Sequence, residues 1–142
     1  QGLRLADTVT SGTHTQVQFL RGGTQCGKIE CANQASTAYV TSSDYRMKDN
    51  VNYSWDATKK LKQLKPAEFT WKEEFDTDKT QVQGFLAHEV SSIVPEAISG
   101  EKDAVDDDGN AVYQGIDQSK LVPLLVKTIQ ELEARITALE SK

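Results

Sequence analysis

A serine and a lysine stand five residues apart in Ser43-Asp44-Tyr45-Arg46-Met47-Lys48, and such a pair could carry out acyl transfer. A serine hydroxyl is a weak nucleophile until a base removes its proton. Lysine can be that base only where its pKa falls well below the ordinary value of about 10.4, through burial or a neighbouring cation. Arg46 is the cation that the sequence places nearest. Serine–lysine pairs at this spacing also arise by chance, so the spacing alone specifies no enzyme.

Other candidate chemistry is weaker. The acidic stretch Asp106-Asp107-Asp108-Gly109-Asn110 invites a calcium reading. An EF-hand loop numbered from its glycine would begin at Ala104 and end at Gly115, where an acidic first ligand and a bidentate glutamate are needed. The stretch therefore reads as a solvated turn. Cys26 and Cys31, five apart in CGKIEC, match no zinc or redox motif. On a strand that odd spacing puts them on opposite faces. They read as free thiols in a reducing compartment, with a disulfide as the alternative. The only histidines are His14 and His88, too few with two cysteines for a structural zinc site. No metal or cofactor is expected.

The chain has 142 residues and a net charge of −5, which argues against nucleic acid and anionic membrane surfaces as partners. No apolar run approaches the roughly 18 residues of a membrane span. The opening QGLRLADTVT has no signal-peptide pattern and reads as a piece of a longer protein.

The elements that must position Ser43 and Lys48 differ on the two sides of the motif. Residues 1–41 are rich in Gly, Thr, Ser and Gln, with alternation over Thr15–Leu20 and Gly27–Cys31 and a turn at Arg21-Gly22-Gly23. Short strands and tight turns are predicted. The apolar content is too thin for an independent core, so the segment folds if other chains cover it or else stays disordered. Beyond Ser43, a helix is predicted over Asp56–Leu64, stopped before Pro66. Strands follow at Ala67–Lys72 and Val82–Ala87, separated by a charged loop over Glu73–Thr80. A short helix at His88–Ile93 ends at Pro95, and Ala97–Gly100 and Ala111–Tyr113 form a hairpin around the Asp108-Gly109 turn.

The last segment carries the clearest period. Val122, Leu125, Ile129, Leu132, Ile136 and Leu139 step by three and four, with β-branched residues at a and leucine at d. Ser119 is the expected cap and Pro123 lies in the first turn. Arg135 and Glu140 could pair between parallel chains. A seam this short is marginal alone. Either copies of the helix associate, or the helix packs on its own domain. The a/d residues alone lean toward two strands.

The motif Ser43-Asp44-Tyr45-Arg46-Met47-Lys48-Asp49-Asn50-Val51 resembles the Ser-Asp-x-Arg-x-Lys-x-Asn-[Ile/Val] opening of the intramolecular chaperone domains of phage endosialidases, tail fibres and neck appendages. A related domain occurs in a membrane-bound myelin transcription factor. Three further segments are similar and follow in order: Leu61–Trp71; Gly84–Val90 with Pro95-Glu96-Ala97; and Tyr113 with Leu121–Leu139. The resemblance covers about residues 36–142. It implies an α+β fold: a trimeric β-stalk end over 1–43, a small α+β chaperone domain over 44–118, and a C-terminal coiled-coil helix over 119–142. It implies a homotrimer, here seamed by the six apolar residues above, whose only other partner is the upstream stalk of the same polypeptide.

The resemblance also implies self-cleavage by a Ser-Lys dyad, with Ser43 as nucleophile, Lys48 as general base and His88 as an auxiliary group. His88 is equally readable as a structural histidine. The cut falls at the Ser43–Asp44 bond, or between Ser42 and Ser43 if Ser43 attacks the carbonyl before it. The implied location is a virion tail or appendage assembled in the host cytoplasm, with the released domain absent from the mature virion. A trimerisation or receptor-binding tip that never cuts is the alternative from a different class.

Overall fold

The computed structural model describes residues 5, 6, 8, 10–32 and 35–142. The chain is mixed α/β and forms two compact units, Gln1–Tyr53 and Ser54–Lys142. Each is described by itself.

The first unit holds an antiparallel sheet in the order β1-β2-β3, made of β1 (His14–Arg21), β2 (Thr24–Cys31) and β3 (Thr37–Thr41). Gly22 and Gly23 join the first two strands with φ of 57° and 79°. Positive φ at both central residues gives a two-residue turn the twist its strands require. His14 lies opposite Cys31 and Arg21 opposite Thr24, with two register shifts that break the alternation of β1. β3, which the sequence reading includes only as part of the stalk, pairs Tyr39 with Ile29 and Thr41 with Gly27. Gly27 is buried where a Cβ would lie 3.0 Å from the Val40 carbonyl oxygen, so a side chain there would press the two strands apart by a few tenths of an ångström. Cys26 and Cys31 are free thiols. Among the described residues this sheet buries no apolar side chain: Phe19, Leu20 and Tyr39 are 50%, 56% and 80% exposed.

The second unit has the core: Ala57, Val90, Val94, Ala97, Leu121 and Leu124, ringed by half-buried Trp55, Leu61, Leu64, Phe85, Ile93, Ile98 and Ile116. Asp56 caps α1 (Ala57–Leu61), its carboxylate accepting from the Lys59 N–H at 2.9 Å. β4 (Ala67–Thr70) pairs with β5 (Gln81–Gly84) across the predicted charged loop. The predicted helix over His88–Ile93 is cut to a single turn, α2 (Ala87–Val90). The hydroxyls of Ser91 and Ser92 bond back to the His88 and Glu89 carbonyls, a local alternative to helix propagation. Pro95 opens a 3₁₀ turn, Pro95–Ala97, where the sequence pointed to a helix stop.

The hairpin is also corrected. β6 (Ile98–Ser99) pairs with β7 (Gly115–Ile116), and Ala111–Tyr113 do not pair with it. Within it, Val105 bridges Ala111 around a loop in which Gly109 takes φ 81° and its N–H donates to the Asp106 carbonyl. A Cβ on Gly115 would sit 2.8 Å from the Ser99 hydroxyl, so a larger residue there would push the Ser99 side chain aside.

The helix α3 (Val122–Glu140) shows two faces. Ser119 does not cap it. Ser119 lies inside a 3₁₀ turn, Gln118–Leu121, that Asp117 caps by accepting from the Ser119 N–H and hydroxyl. Pro123 occupies the first turn as predicted. Leu121, Leu124 and Thr128 are buried, and the Thr128 hydroxyl is satisfied by the Leu124 carbonyl at 2.8 Å. Cutting Leu124 back to alanine would remove about 2–5 kcal/mol, a large share of the stability of so small a core. One turn further on, Glu131 reaches the start of α1 and accepts from Ala57 N–H (3.0 Å), Thr58 N–H (2.8 Å) and the Thr58 hydroxyl (2.6 Å). Val122, Leu125, Ile129, Leu132, Ile136 and Leu139 stay 41–68% exposed. The helix thus packs on its own domain through a face other than the heptad seam.

The Thr58 hydroxyl, followed by the Ala57 and Thr58 amides, lowers the Glu131 pKa from 4.5 to about 2. A depressed folded-state pKa stabilises the fold above the ordinary value and ceases to do so as pH falls through the folded one. Glu131→Gln is therefore expected to lower the thermal midpoint at neutral pH by a few degrees. The gap to wild type should close between pH 4.5 and 2. A gap that persists unchanged at the acid end would show that the carboxylate charge is not the anchor.

Candidate functional site

The site grows out of the end of β3. Ser42, one residue past that strand, is fastened to β2 twice: its N–H donates to the Cys26 carbonyl (3.2 Å) and its hydroxyl to the Gln25 carbonyl (2.8 Å). Ser43 follows at once, so the predicted nucleophile is carried at the margin of a hydrogen-bonded ladder. The next residues turn back on themselves in a single 3₁₀ turn, Tyr45–Met47. The Met47 N–H donates to the Asp44 carbonyl and the Lys48 N–H to the Tyr45 carbonyl, both at 3.1 Å.

That turn brings the two predicted groups together. Lys48 Nζ lies 2.7 Å from Ser43 Oγ. An ammonium donates across this contact, and a neutral amine accepts the hydroxyl proton across it. The heavy-atom distance is that of a nucleophile and its general base.

Asp44 holds the turn in place. Its Oδ1 accepts from the Arg46 N–H and Nε, each at 2.9 Å, and its Oδ2 accepts from Arg46 Nη2 at 2.7 Å. The Arg46 guanidinium, then the Arg46 backbone N–H, hold the Asp44 carboxyl below the usual carboxylate range, with Lys48 adding a smaller charge effect. The same pairing raises the pKa of Arg46. This corrects one expectation. Arg46 does not act on Lys48 as an unmatched cation, because its charge is met by Asp44 in a two-pronged ion pair. Lys48 is also exposed, so the isolated chain supplies the contact between nucleophile and base without the burial that general-base lysines require.

His88 belongs to the second unit, on α2. There it lines a hollow of about 310 Å³ with Glu101, Lys102, Asp103 and Tyr113 among others. His14 lies on β1, its Nε2 3.1 Å from the Ser11 carbonyl oxygen. The carboxylate of Asp106 is taken up by its own loop, accepting from the Asp108 and Asn110 N–H groups and the Asn110 side chain.

Sequence reasoning misses two functional supports. It treats Asp44 only as a flank of the scissile bond, although an aspartate at the head of a turn, two residues before an arginine, is a recognisable capping signal. The fastening of Ser42 has no local signal, because its partners lie in another strand.

No helix among the described residues is long and apolar enough to cross a membrane. No curated protein matches the chain. Residues 43–99 match the family model for Peptidase_S74, chaperone of endosialidase, and the match opens on the serine that Lys48 contacts. Over these residues the chain is similar to the chaperone-of-endosialidase family, whose name marks a peptidase-related chaperone domain.

Proposed function

We propose that this chain joins the end of a phage tail-fibre, tailspike or appendage stalk to an intramolecular chaperone that trimerises it and then cuts itself free. The observation that carries the reading is the 2.7 Å contact between Lys48 Nζ and Ser43 Oγ, placed where the sheet ends and the family match begins. Lys48 takes the hydroxyl proton, Ser43 is the nucleophile, and the Ser43–Asp44 bond is broken. His88 assists as an auxiliary group.

What the single chain leaves uncovered supports a trimer. The first unit has strands and no buried apolar side chain among its described residues, while Phe19, Leu20, Tyr39, Tyr45 and Tyr53 stand exposed. The second unit exposes the whole heptad seam of α3. Both surfaces suit coverage by further copies of the same chain. Aligning three long β segments is slow because their contacts are non-local. A tethered chaperone raises their effective concentration, and a coil that closes first sets their register. The same closure would bury Lys48, which favours its uncharged form. Cutting would then follow assembly and leave the stalk held by its unfolding barrier. The product would reside in a virion tail built in the host cytoplasm, without the released domain.

The exposure of Lys48 and the neutralised Arg46 favour one second reading, a trimerisation or receptor-binding tip that never cuts. Intact mass of the mature particle separates the two, since a retained 44–142 segment belongs only to the tip.

On a denaturing gel, wild type is expected to give two fragments, and Ser43→Ala and Lys48→Ala one intact chain each. A cut that survives either substitution would falsify the dyad. Arg46→Ala removes the prongs that hold the turn, and misplacing a catalytic group by an ångström typically costs about 10²-fold in rate. Cleavage should slow by that order while light scattering still reports the trimer. An undiminished rate would mean that the Asp44–Arg46 pair does not position the dyad. Ile129→Asp combined with Leu132→Asp should yield monomers whose Ser43–Asp44 bond stays whole, and full-speed cutting by such monomers would break the link between assembly and release.

A further inference from the structure

Resting on the dyad reading above, we infer that each Ser43–Asp44 bond is cut by the Ser43–Lys48 pair of a neighbouring copy, so that the active site is completed between chains. Ring size is the first reason. If Ser43 Oγ attacked the carbonyl of its own residue, the ring would contain only Oγ, Cβ, Cα and the carbonyl carbon. Bond angles in such a ring forbid the aligned approach that a near-attack geometry demands. Attack within one chain is open only on the preceding carbonyl, through a five-membered ring, and that breaks the Ser42–Ser43 bond. A cut after Ser43 by its hydroxyl needs an electrophile from another copy.

The geometry of the loop is the second reason. Nucleophile and base already meet within one chain, at 2.7 Å, so a copy brings a whole dyad and lacks only a reachable bond. Ser43 and Lys48 are both exposed. The residues that follow in sequence leave large apolar side chains uncovered: Tyr45 and Tyr53 are 82% and 80% exposed, Met47 and Val51 61% and 59%. A second copy of this loop is the surface that fits, because it brings matching apolar residues together with its own Ser43–Asp44 bond. In a ring of three, such a contact is head-to-tail and closes on itself. Every copy gives its dyad to one neighbour and receives one from the other, and all three bonds are cut while the severed pieces stay seated in the ring.

The chemistry balances with water as the only co-reactant. Lys48 accepts the proton of Ser43 Oγ as that oxygen bonds to the carbonyl carbon of residue 43 in the neighbour. The carbon–nitrogen bond breaks, and the Asp44 nitrogen leaves with the proton that Lys48 carried. The resulting ester joins two stalk chains. Water, deprotonated by Lys48, hydrolyses it, leaving a carboxyl group on one Ser43 and restoring the hydroxyl of the other.

The test is complementation. Wild-type and Ser43→Ala chains carrying different tags are co-expressed at equal levels, and mixed trimers are isolated by sequential purification on both tags. Each Ser43→Ala chain retains a cleavable peptide bond before Asp44 and lacks only its own nucleophile. Cutting between chains predicts that one Ser43→Ala chain is cut in every mixed trimer, about two-thirds of such chains at equal expression, although they stay whole when expressed alone, because a directional ring of three gives each mixed trimer one mutant chain with a wild-type donor. Wild-type chains beside a mutant donor stay whole. Fully cut wild-type chains beside wholly uncut Ser43→Ala chains would overturn the inference and leave the dyad standing. Wild type that is never cut, even alone, would instead remove the dyad reading itself. Terminal sequencing of the released wild-type fragment decides independently of mixing: Asp44 at its start supports the inference, and Ser43 there overturns it in favour of attack within the chain.

Discussion

A lysine side chain can reach a hydroxyl five residues behind it only if the backbone between them folds back, and the whole site depends on that constraint. An extended strand would carry Ser43 and Lys48 far apart. The 3₁₀ turn over Tyr45–Met47 brings Lys48 Nζ to 2.7 Å from Ser43 Oγ. A three-residue turn is not self-sustaining, and its support is the carboxylate of Asp44, which binds both the backbone and the guanidinium of Arg46. Fastening Ser42 to β2 fixes the other end of the reach. The contact is thus held by the sheet on one side and an ion pair on the other.

The second unit meets a comparable constraint with its terminal helix. Nineteen residues of α3 must both close a small core and present an apolar seam. One face cannot do both. Leu121, Leu124 and Thr128 are committed inward, and Glu131 extends that inward face by capping the first turn of α1. The seam from Val122 to Leu139 lies on a different face and stays uncovered. Because the inward contacts occupy only the first half of α3, its second half projects beyond the core of its own domain. That arrangement leaves the seam open for the proposed association of copies while the helix stays anchored to its own domain.

How much of this is legible in the sequence follows from the range of each interaction. Local signals are readable. Gly22-Gly23 marks the hairpin, Asp56 and Pro66 bracket α1, and the three–four period marks α3, whereas Ser43 and Lys48 are paired by the resemblance of their motif and not by spacing alone. Long-range choices are not. Glu131 caps residues more than seventy positions earlier. The pairing of β6 with β7 sets Gly115 opposite Ser99, and no periodicity encodes that. Competition between near neighbours is hard to judge as well. Asp117 captures Ser119 before it can cap the helix, and Asp44 takes the charge of Arg46 that the sequence reading assigns to Lys48.

The order of residues around the proposed cut makes release hard to reverse. Ser43 lies on the stalk side of the Ser43–Asp44 bond, whereas Asp44, Arg46 and Lys48 all lie on the other. Once the severed domain departs, the base and its positioning pair leave together, and the nucleophile stays in a segment parted from its lysine. The new amino group forms on Asp44 itself, beside the carboxylate that holds Arg46, and its positive charge competes for that carboxylate at very short range. The turn that built the site thus loses its covalent tether and the exclusivity of its ion pair in one step. Rejoining the pieces would require ordering two separate chains around a site that assembles readily only when residues 43 and 48 are connected. Directionality then comes from where the bond sits within the motif, with no need for an added energy source.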